Sequence, residues 1–159
     1  MRELSVFVLR PILVLLFLGG LLVQLAVIPQ TATELAVALP GFASLATPYA
    51  IAAILVILCL QVALAATWRL LSKVRDDEIF SGQTKPWVDA IITSVAVGTL
   101  LVVAVVVHLA GVMQLGPPAL ILLLTVLAIE GAAFVLLMIV MRSLLHNATI
   151  IQAELALLT

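Results

Sequence analysis

The chain has 159 residues, of which 65% are hydrophobic and 9% are charged, and its formal net charge is −1. A soluble domain is nearer half apolar and a quarter charged, and a disordered chain is poor in apolar residues, so both classes are excluded. The near-neutral charge also provides no basic surface for direct binding of nucleic acid. The composition predicts an all-α membrane protein embedded in the lipid bilayer.

Four apolar runs are long enough to cross about 30 Å of hydrocarbon as helices, which takes about 20 residues each. They cover residues 4–28, 49–74, 87–113 and 118–141. Together they predict a four-transmembrane-helix bundle that forms a single domain over residues 1–159. Pro29 is predicted to close the first helix, and Pro118 suits the first turn of the fourth. The first run exceeds the about 7–15 apolar residues of a secretory signal, which favours an uncleaved helix.

Lysine and arginine fall on one side of the predicted membrane. All seven lie before or at the start of the first span, between the cores of the second and third spans, or after the fourth. The connections at residues 29–48 and 114–117 contain none. The positive-inside rule therefore predicts that both termini and loop 69–86 are cytoplasmic, in a multi-pass protein of the cell inner (plasma) membrane.

A few polar side chains lie inside the predicted spans, where they are unfavourable and usually face the bundle interior. At 1.5 Å per residue, Glu130 lies about 18 Å from the outer end of its helix. Gln61 and Thr99 fall near the same depth, and His108 is shallower. One interpretation is a proton or cation site at Glu130, with His108 on the path outward. The alternative is structural: a neutral Glu130 hydrogen-bonds to Gln61 or to a backbone carbonyl and holds the helices together.

The ends of the first and third spans resemble each other. Residues 24–30 read Gln-Leu-Ala-Val-Ile-Pro-Gln, and residues 108–114 read His-Leu-Ala-Gly-Val-Met-Gln. A true repeat would relate two helical hairpins by an axis along the membrane normal. Shared apolar composition is the simpler explanation of the identities.

No pattern of catalytic or metal-ligating residues is present in the sequence. Glu130 has no acidic or basic partner at its depth with which to form a nucleophile–base pair, and there is no Gly-rich phosphate loop. The single cysteine, Cys59, and the two histidines are too few for a clustered metal site. We therefore expect no enzymatic activity, no metal and no cofactor.

Two cytoplasmic features are distinctive in this topology. The central loop carries three consecutive acids followed by an apolar pair. In the tail, residues 142–159, apolar residues recur at three- and four-residue intervals, which predicts a fourth helix that leaves the membrane with one apolar stripe to bury. The stripe can be buried against the inner loop, the membrane surface or a protein partner, and the loop fits either a solvated connector with Ile79 and Phe80 at the interface or a docking site. The partner-binding candidates are Asp76, Asp77, Glu78, Ile79, Phe80 and Arg142.

The segment Asp77-Glu78-Ile79-Phe80-Ser81 follows a basic helix end, and the tail contains Arg142-Ser143-Leu144-Leu145 and Gln152-Ala153-Glu154-Leu155. This pattern resembles a family of small bacterial four-span membrane proteins of unknown function with a central-loop G/D-E-x-F-S/T box. The Ala/Val-rich composition is similar to its actinobacterial members. Family members are often encoded beside a small Cro-type helix-turn-helix regulator, so the resemblance implies a regulatory pairing. It implies no catalytic residues.

Three functions fit these features. The leading hypothesis is a non-enzymatic regulatory or accessory subunit that binds a cytoplasmic regulator or a membrane subunit through its loop and tail. The second is a small homo-oligomeric transporter or channel with Glu130 as an intramembrane proton or cation site. The third is an immunity or membrane-stress protein.

Overall fold

The computed structural model describes residues 2–75, 84–114 and 118–159, and every element within these ranges is helical. Four helices in the described chain are long and apolar enough to cross a membrane, which confirms the prediction of an all-α multi-pass membrane protein. The elements are α1 (Arg2–Leu22), a π-helical turn (Val23–Val27), α2 (Ile28–Ala38), a 3₁₀ turn (Pro40–Phe42), α3 (Ala43–Arg75), α4 (Lys85–Val107), a second π-helical segment (His108–Met113) and α5 (Pro118–Leu158).

The first membrane helix continues past the proline that was predicted to close it. α1 and α2 are joined through the π-helical turn, so the helix extends beyond Pro29 to Ala38. A proline inside a helix lacks a donor, and its ring clashes with the carbonyl four residues earlier. The π-helical turn accommodates this, because Ile28 N–H bonds to the carbonyl of Val23, five residues earlier, and widens the helix before the proline.

The connection to the second membrane helix is short. Leu39 N–H bonds to the Leu35 carbonyl at 2.9 Å, and Phe42 N–H bonds to the Leu39 carbonyl at 2.8 Å. α3 then begins at Ala43, earlier than the predicted start at residue 49, and includes Pro48. The segment predicted as an outer loop, residues 29–48, is therefore mostly helical.

The other helix ends lie close to the predicted ones. α3 ends at Arg75, α4 begins at Lys85 and α5 begins at Pro118. The third membrane helix ends at Gln114, whose φ of 49° is left-handed and suits the residue that terminates a helix. α5 is one helix of 41 residues, about 62 Å long, so the tail does continue the fourth span.

The helices pack as an antiparallel row in the order α1, α3, α4, α5. Among the described residues, α1 and α5 share no extensive contact, so the row is open rather than closed on itself. The first membrane helix contacts α3 through Arg10–Trp68 and, from its π-helical turn, Gln24–Ile54. The third membrane helix contacts α3 through Arg69–Trp87 and, from its π-helical segment, Tyr49–His108. The contacts Thr99–Gly131 and Asp89–Arg142 join α4 to α5.

The centre of the row is the contact between α3 and the third membrane helix. Lipid tails are as apolar as leucine, so close packing of small residues holds such helices together better than apolar burial does. A Cβ at Gly98 of α4 would lie 3.3 Å from Cys59 Cβ of α3, which shows how closely the two backbones approach. The buried apolar residues are Leu13, Ala46, Ala66, Ile91, Val102 and Leu109, and none lies on α5.

Candidate functional site

One end of the row brings arginine and tryptophan side chains together. The Arg10 guanidinium lies over the Trp68 ring, with 5.4 Å between its Cζ and the ring centroid. Arg69 lies over Trp87 in the same way, at 5.6 Å. We call this end, defined by these four residues, the basic end. Arginine and tryptophan both favour the boundary between hydrocarbon and water, because each combines apolar surface with a polar group.

Arg142, one of the predicted partner-binding residues, pairs within the chain at the basic end. Its Nη1 lies 2.7 Å from Asp89 Oδ1, and the two side chains are 53% and 43% exposed. In the isolated chain, Arg142 therefore helps to place α5 beside the start of α4. The remaining partner-binding candidates lie outside the described residues and stay predictions: Asp76, Asp77, Glu78, Ile79 and Phe80.

The opposite end of the row, which we call the hairpin end, has an aromatic cluster formed by Phe42, Tyr49 and His108. Tyr49 Oη and His108 Nδ1 are 2.6 Å apart and share a hydrogen bond, and the Tyr49 and Phe42 rings stack with centroids 5.4 Å apart. Along α3, Tyr49 and Trp68 are separated by about 28 Å, close to the thickness of membrane hydrocarbon. Aromatic side chains concentrate at both membrane interfaces. His108 thus lies at the membrane edge and is exposed.

Each of the two segments that resemble each other in sequence overlaps one of the two π-helical segments. Each presents one polar side chain to α3. Gln24, which is 7% exposed, donates a hydrogen bond through Nε2 to the Ile54 carbonyl at 3.2 Å. His108 contacts α3 through the tyrosine described above. π-Helical turns are frequent at functional sites because they redirect side chains; here they hold α3 from both sides toward the hairpin end.

Gln61 is the most deeply buried of the predicted polar candidates, at 6% exposed. It faces α1, where a Cβ at Gly20 would lie 3.2 Å from Gln61 Nε2. That nitrogen has no hydrogen-bond partner among the described residues. Gln61 does not meet Glu130, because α1 lies on one side of the central helix pair and α5 lies on the other.

Glu130 lies on the outside of the row, where its side chain is exposed. Its neighbour Gly131 faces α4, because a Cβ there would clash with the Thr99 side chain. Successive helical residues point about 100° apart, so Glu130 turns away from α4. In the single chain, Glu130 therefore faces neither the interior of the row nor Gln61, and its role as a polar candidate stays a prediction. Thr99 shares its level, but the Thr99 hydroxyl donates to the Val95 carbonyl at 2.8 Å.

Glu130 belongs to an exposed face that runs along the length of α5, which we call the outer face. Its members recur every three or four residues and all are exposed. Glu130 is the one charged member of this face, and Leu144 and Leu155 are 58% and 59% exposed. The outer face comprises Val126, Glu130, Ala133, Leu137, Met141, Leu144, Ala148, Ile151, Leu155 and Leu158.

The last part of α5 projects past its neighbour. Asp89 pairs with Arg142 and the two helices are antiparallel, so the start of α4 at Lys85 lies level with about residue 146 of α5. Residues 147–158 therefore extend about 18 Å beyond α4. Among the described residues, those of this extension are exposed except for Thr149, so its apolar stripe is uncovered.

Three pairs of polar groups in the described chain lie at separate places rather than around one centre. Arg142 pairs with Asp89, Tyr49 with His108, and Gln24 with a backbone carbonyl. Within the described ranges, no group of three or more His, Cys, Asp or Glu side chains could hold a metal ion. The outer face runs along α5, the longest of the described helices.

Sequence analysis missed the residues that mark the two ends of the row. Trp68, Trp87 and Tyr49 each stand near a predicted span end, and aromatic residues at such positions indicate interface anchors. Asp89 is the one acid near the start of the third span, at the end where the basic residues lie. Each of these signals was present in the sequence.

A family model for proteins of unknown function, DUF2975, matches residues 30–158. The chain belongs to the DUF2975 family. Its four apolar helices fit a small membrane family. No curated protein and no solved structure matches the chain. The DUF2975 match begins within α2, so it includes the whole outer face of α5 and the aromatic cluster of the hairpin end, while Arg10 and Gln24 precede it.

Proposed function

We propose that this DUF2975 protein is a non-enzymatic membrane subunit that binds a protein partner along the outer face of α5. The observation that carries the proposal is the continuity of this face, from Glu130 inside the membrane to exposed leucines beyond α4. A carboxyl group that faces lipid is unfavourable, and so is a contiguous apolar stripe in water. One partner that covers the face removes both penalties.

The continuity of the face also defines the kind of partner. The partner spans the membrane, presents a hydrogen-bonding group at the depth of Glu130, and continues as an apolar helix beside Ile151. A regulatory or accessory role follows, because binding of this kind changes the stability or conformation of a second membrane protein. The central-loop residues 76–80 are a further predicted contact on the same side of the membrane.

The proposed orientation places the basic end in the cytoplasm of the plasma membrane. The helical residues Arg10, Arg69, Lys73 and Arg142 lie at or beyond this end, and the hairpin end carries no lysine or arginine in its described residues. Cytoplasmic segments of membrane proteins are enriched in these residues. The extension of α5 is then accessible to cytoplasmic as well as membrane partners.

Site-specific photo-crosslinking tests the proposal with a matched pair of positions. Ile150 and Ile151 are adjacent, identical and exposed by 45% and 58%, but only Ile151 belongs to the outer face. A photoreactive amino acid is placed at Ile150, Ile151 or Leu144 in the full chain, and native membranes are irradiated. We expect Ile151 and Leu144 to yield the same adduct and Ile150 to yield little of it.

The adduct's mass identifies the partner. If the same second polypeptide is crosslinked at both Ile151 and Leu144, the protein is a subunit of a heteromeric complex. An adduct of twice the chain mass supports a second copy of this chain on the same face. Ile151→Asp should abolish the adduct formed from Leu144, whereas Ile150→Asp should preserve it. Equal crosslinking from Ile150 and Ile151, or none from either, overturns the proposal.

A homo-oligomeric transporter or channel is the second candidate function. It is favoured by one observation: if two copies pair through the outer face about a two-fold axis, each Glu130 lies against its symmetry mate at mid-membrane depth. Proteoliposomes that contain the wild-type chain should then show proton or cation flux, and Glu130→Gln should abolish it. Absence of flux from the wild-type chain removes this candidate and leaves the subunit proposal unaffected.

A further inference from the structure

An open groove of about 220 Å³ lies between α1 and α3, on the side of the row away from α5. Trp68 of its lining belongs to the basic end, and the groove follows α1 from Leu13 to Leu18, about 8 Å along the helix. Its lining is apolar, and the side chains that form most of it are Leu13, Val14, Phe17, Leu18, Leu64 and Trp68. Its apolar lining and its volume fit part of one acyl chain.

Arg10 lies over Trp68, one of the residues that line this groove, and has unused hydrogen-bonding capacity. Its Nε is buried and has no hydrogen-bond partner among the described residues. Its guanidinium lies over the Trp68 ring, which fixes the plane of the group but supplies no acceptor. A guanidinium presents a flat edge of N–H donors that fits the oxygens of a phosphate. A buried donor without an acceptor is unfavourable, so this position favours a ligand that brings one.

We propose that this groove binds an anionic phospholipid from the leaflet at the basic end. One acyl chain lies in the groove against Leu13 and Leu64, and the phosphate accepts hydrogen bonds from Arg10. The preference for an anionic lipid arises because Arg10 has no carboxylate partner in the described chain, in contrast to Arg142 and its partner Asp89. The site is independent of the partner proposed for the outer face of α5.

The chain offers matched controls for each half of the site. Arg69 also stacks on a tryptophan, at 5.6 Å, but its partner Trp87 does not line the groove, whereas Trp68 beneath Arg10 does, so Arg69→Gln controls for the loss of charge in Arg10→Gln. Ala65 lines the groove, so Ala65→Phe fills it. Ala104 is exposed on α4, so Ala104→Phe controls for adding a ring to the surface.

Native mass spectrometry of the full chain tests the proposal. The protein is purified in detergent that contains equal amounts of phosphatidylglycerol and phosphatidylcholine, and retained lipids are counted. We expect one retained phosphatidylglycerol in preference to phosphatidylcholine. Arg10→Gln and Ala65→Phe should each reduce its retention by about tenfold, the effect expected for losing a charged hydrogen bond or the chain contacts. Arg69→Gln and Ala104→Phe should leave it unchanged.

Three results overturn the inference. Equal retention of both lipids by the wild-type chain would show that Arg10 does not select the anionic headgroup. Equal losses in Arg10→Gln and Arg69→Gln would show non-specific attraction between basic residues and anionic lipid. Full competition by glycerol phosphate, which has a phosphate and no acyl chain, would show that the groove is not used. Circular dichroism of each variant confirms that the helices form, so loss of binding is distinguishable from misfolding.

Discussion

Gly131 packs so closely against Thr99 that a Cβ at the glycine would overlap the threonine side chain. This contact sets the rotation of α5 about its own axis. Because Gly131 faces α4, its neighbour Glu130 is turned outward and the apolar residues of the α5 extension follow on the same outer face. The proposed binding surface therefore depends on a glycine that does not belong to it.

Gly131→Ala should destabilise the α4–α5 contact. The added methyl group must displace Thr99 or separate the helices, and overpacking of this kind lowers the free energy of unfolding by about 1–3 kcal/mol. Gly19→Ala is the control, since nothing lies within 4 Å of a Cβ there and alanine favours the helix. Thermal unfolding of the purified protein in detergent measures both. Equal destabilisation by the two substitutions would contradict the close contact.

The ion pair between Arg142 and Asp89 should contribute little to the free energy of unfolding, although its nitrogen and oxygen atoms are only 2.7 Å apart. Both side chains are about half exposed although the Asp89 Oδ1 atom itself is buried, so solvent screens much of their attraction. A double-mutant cycle with Arg142→Gln and Asp89→Asn should give a coupling energy below about 1 kcal/mol. The measurement is denaturant unfolding of the four proteins in detergent. A coupling of several kcal/mol would mean that the pair is shielded from solvent in the folded protein.

The number and approximate positions of the spans could be predicted from the sequence, although the first helix continues to Ala38 and α3 begins earlier, at Ala43. Runs of about 20 apolar residues predicted the four spans, and the recurring leucines after Arg142 predicted the extension of α5. The continuation through Pro29 could not be predicted, because a proline after an apolar run usually ends a helix. The continuation depends on the π-helical turn, and the spacing of apolar residues in the sequence does not indicate such a turn.

The direction in which Glu130 points could not be predicted from the sequence either. α5 is apolar around its circumference within the span, so hydrophobic periodicity does not show which face packs against α4. The face is decided by the fit of Gly131 against Thr99, a contact between two helices. Gly111 shows why a glycine alone is not sufficient as a signal, since nothing lies within 4 Å of a Cβ there.

Tyr49→Phe should weaken the hairpin end by a small amount. The substitution removes the hydrogen bond to His108 and retains the ring that stacks on Phe42. Because the bond is exposed, we expect a loss below about 1 kcal/mol, at the low end for a hydrogen bond. Tyr49→Ala should cost more, since it also removes the stacking. Unfolding in detergent compares the three proteins, and a larger loss in Tyr49→Phe than in Tyr49→Ala would contradict this assignment.

Labelling of single cysteines should show the hairpin end outside the cell and the α5 extension inside. In a Cys59→Ala background, Gly41→Cys is placed in the 3₁₀ turn and His146→Cys in the extension, and both positions are exposed. A membrane-impermeant maleimide should label Gly41→Cys in intact cells and His146→Cys only after permeabilisation. The opposite pattern would invert the orientation that the basic residues favour.

Gln61→Met should preserve or raise stability, although Gln61 is among the most buried polar residues of the chain. Methionine has nearly the same length and flexibility, so it fills the space beside Gly20. It removes an amide nitrogen that lacks a hydrogen-bond partner among the described residues, and such a group is unfavourable by about 1–3 kcal/mol. Thermal unfolding of the monomeric protein in detergent measures the change, with Gln24→Met as the control. Gln24 donates to the Ile54 carbonyl, so its substitution should lower stability. If Gln61→Met is the more destabilising of the two, the Gln61 amide has a partner in the folded protein, and a search for that partner would then begin beside Gly20.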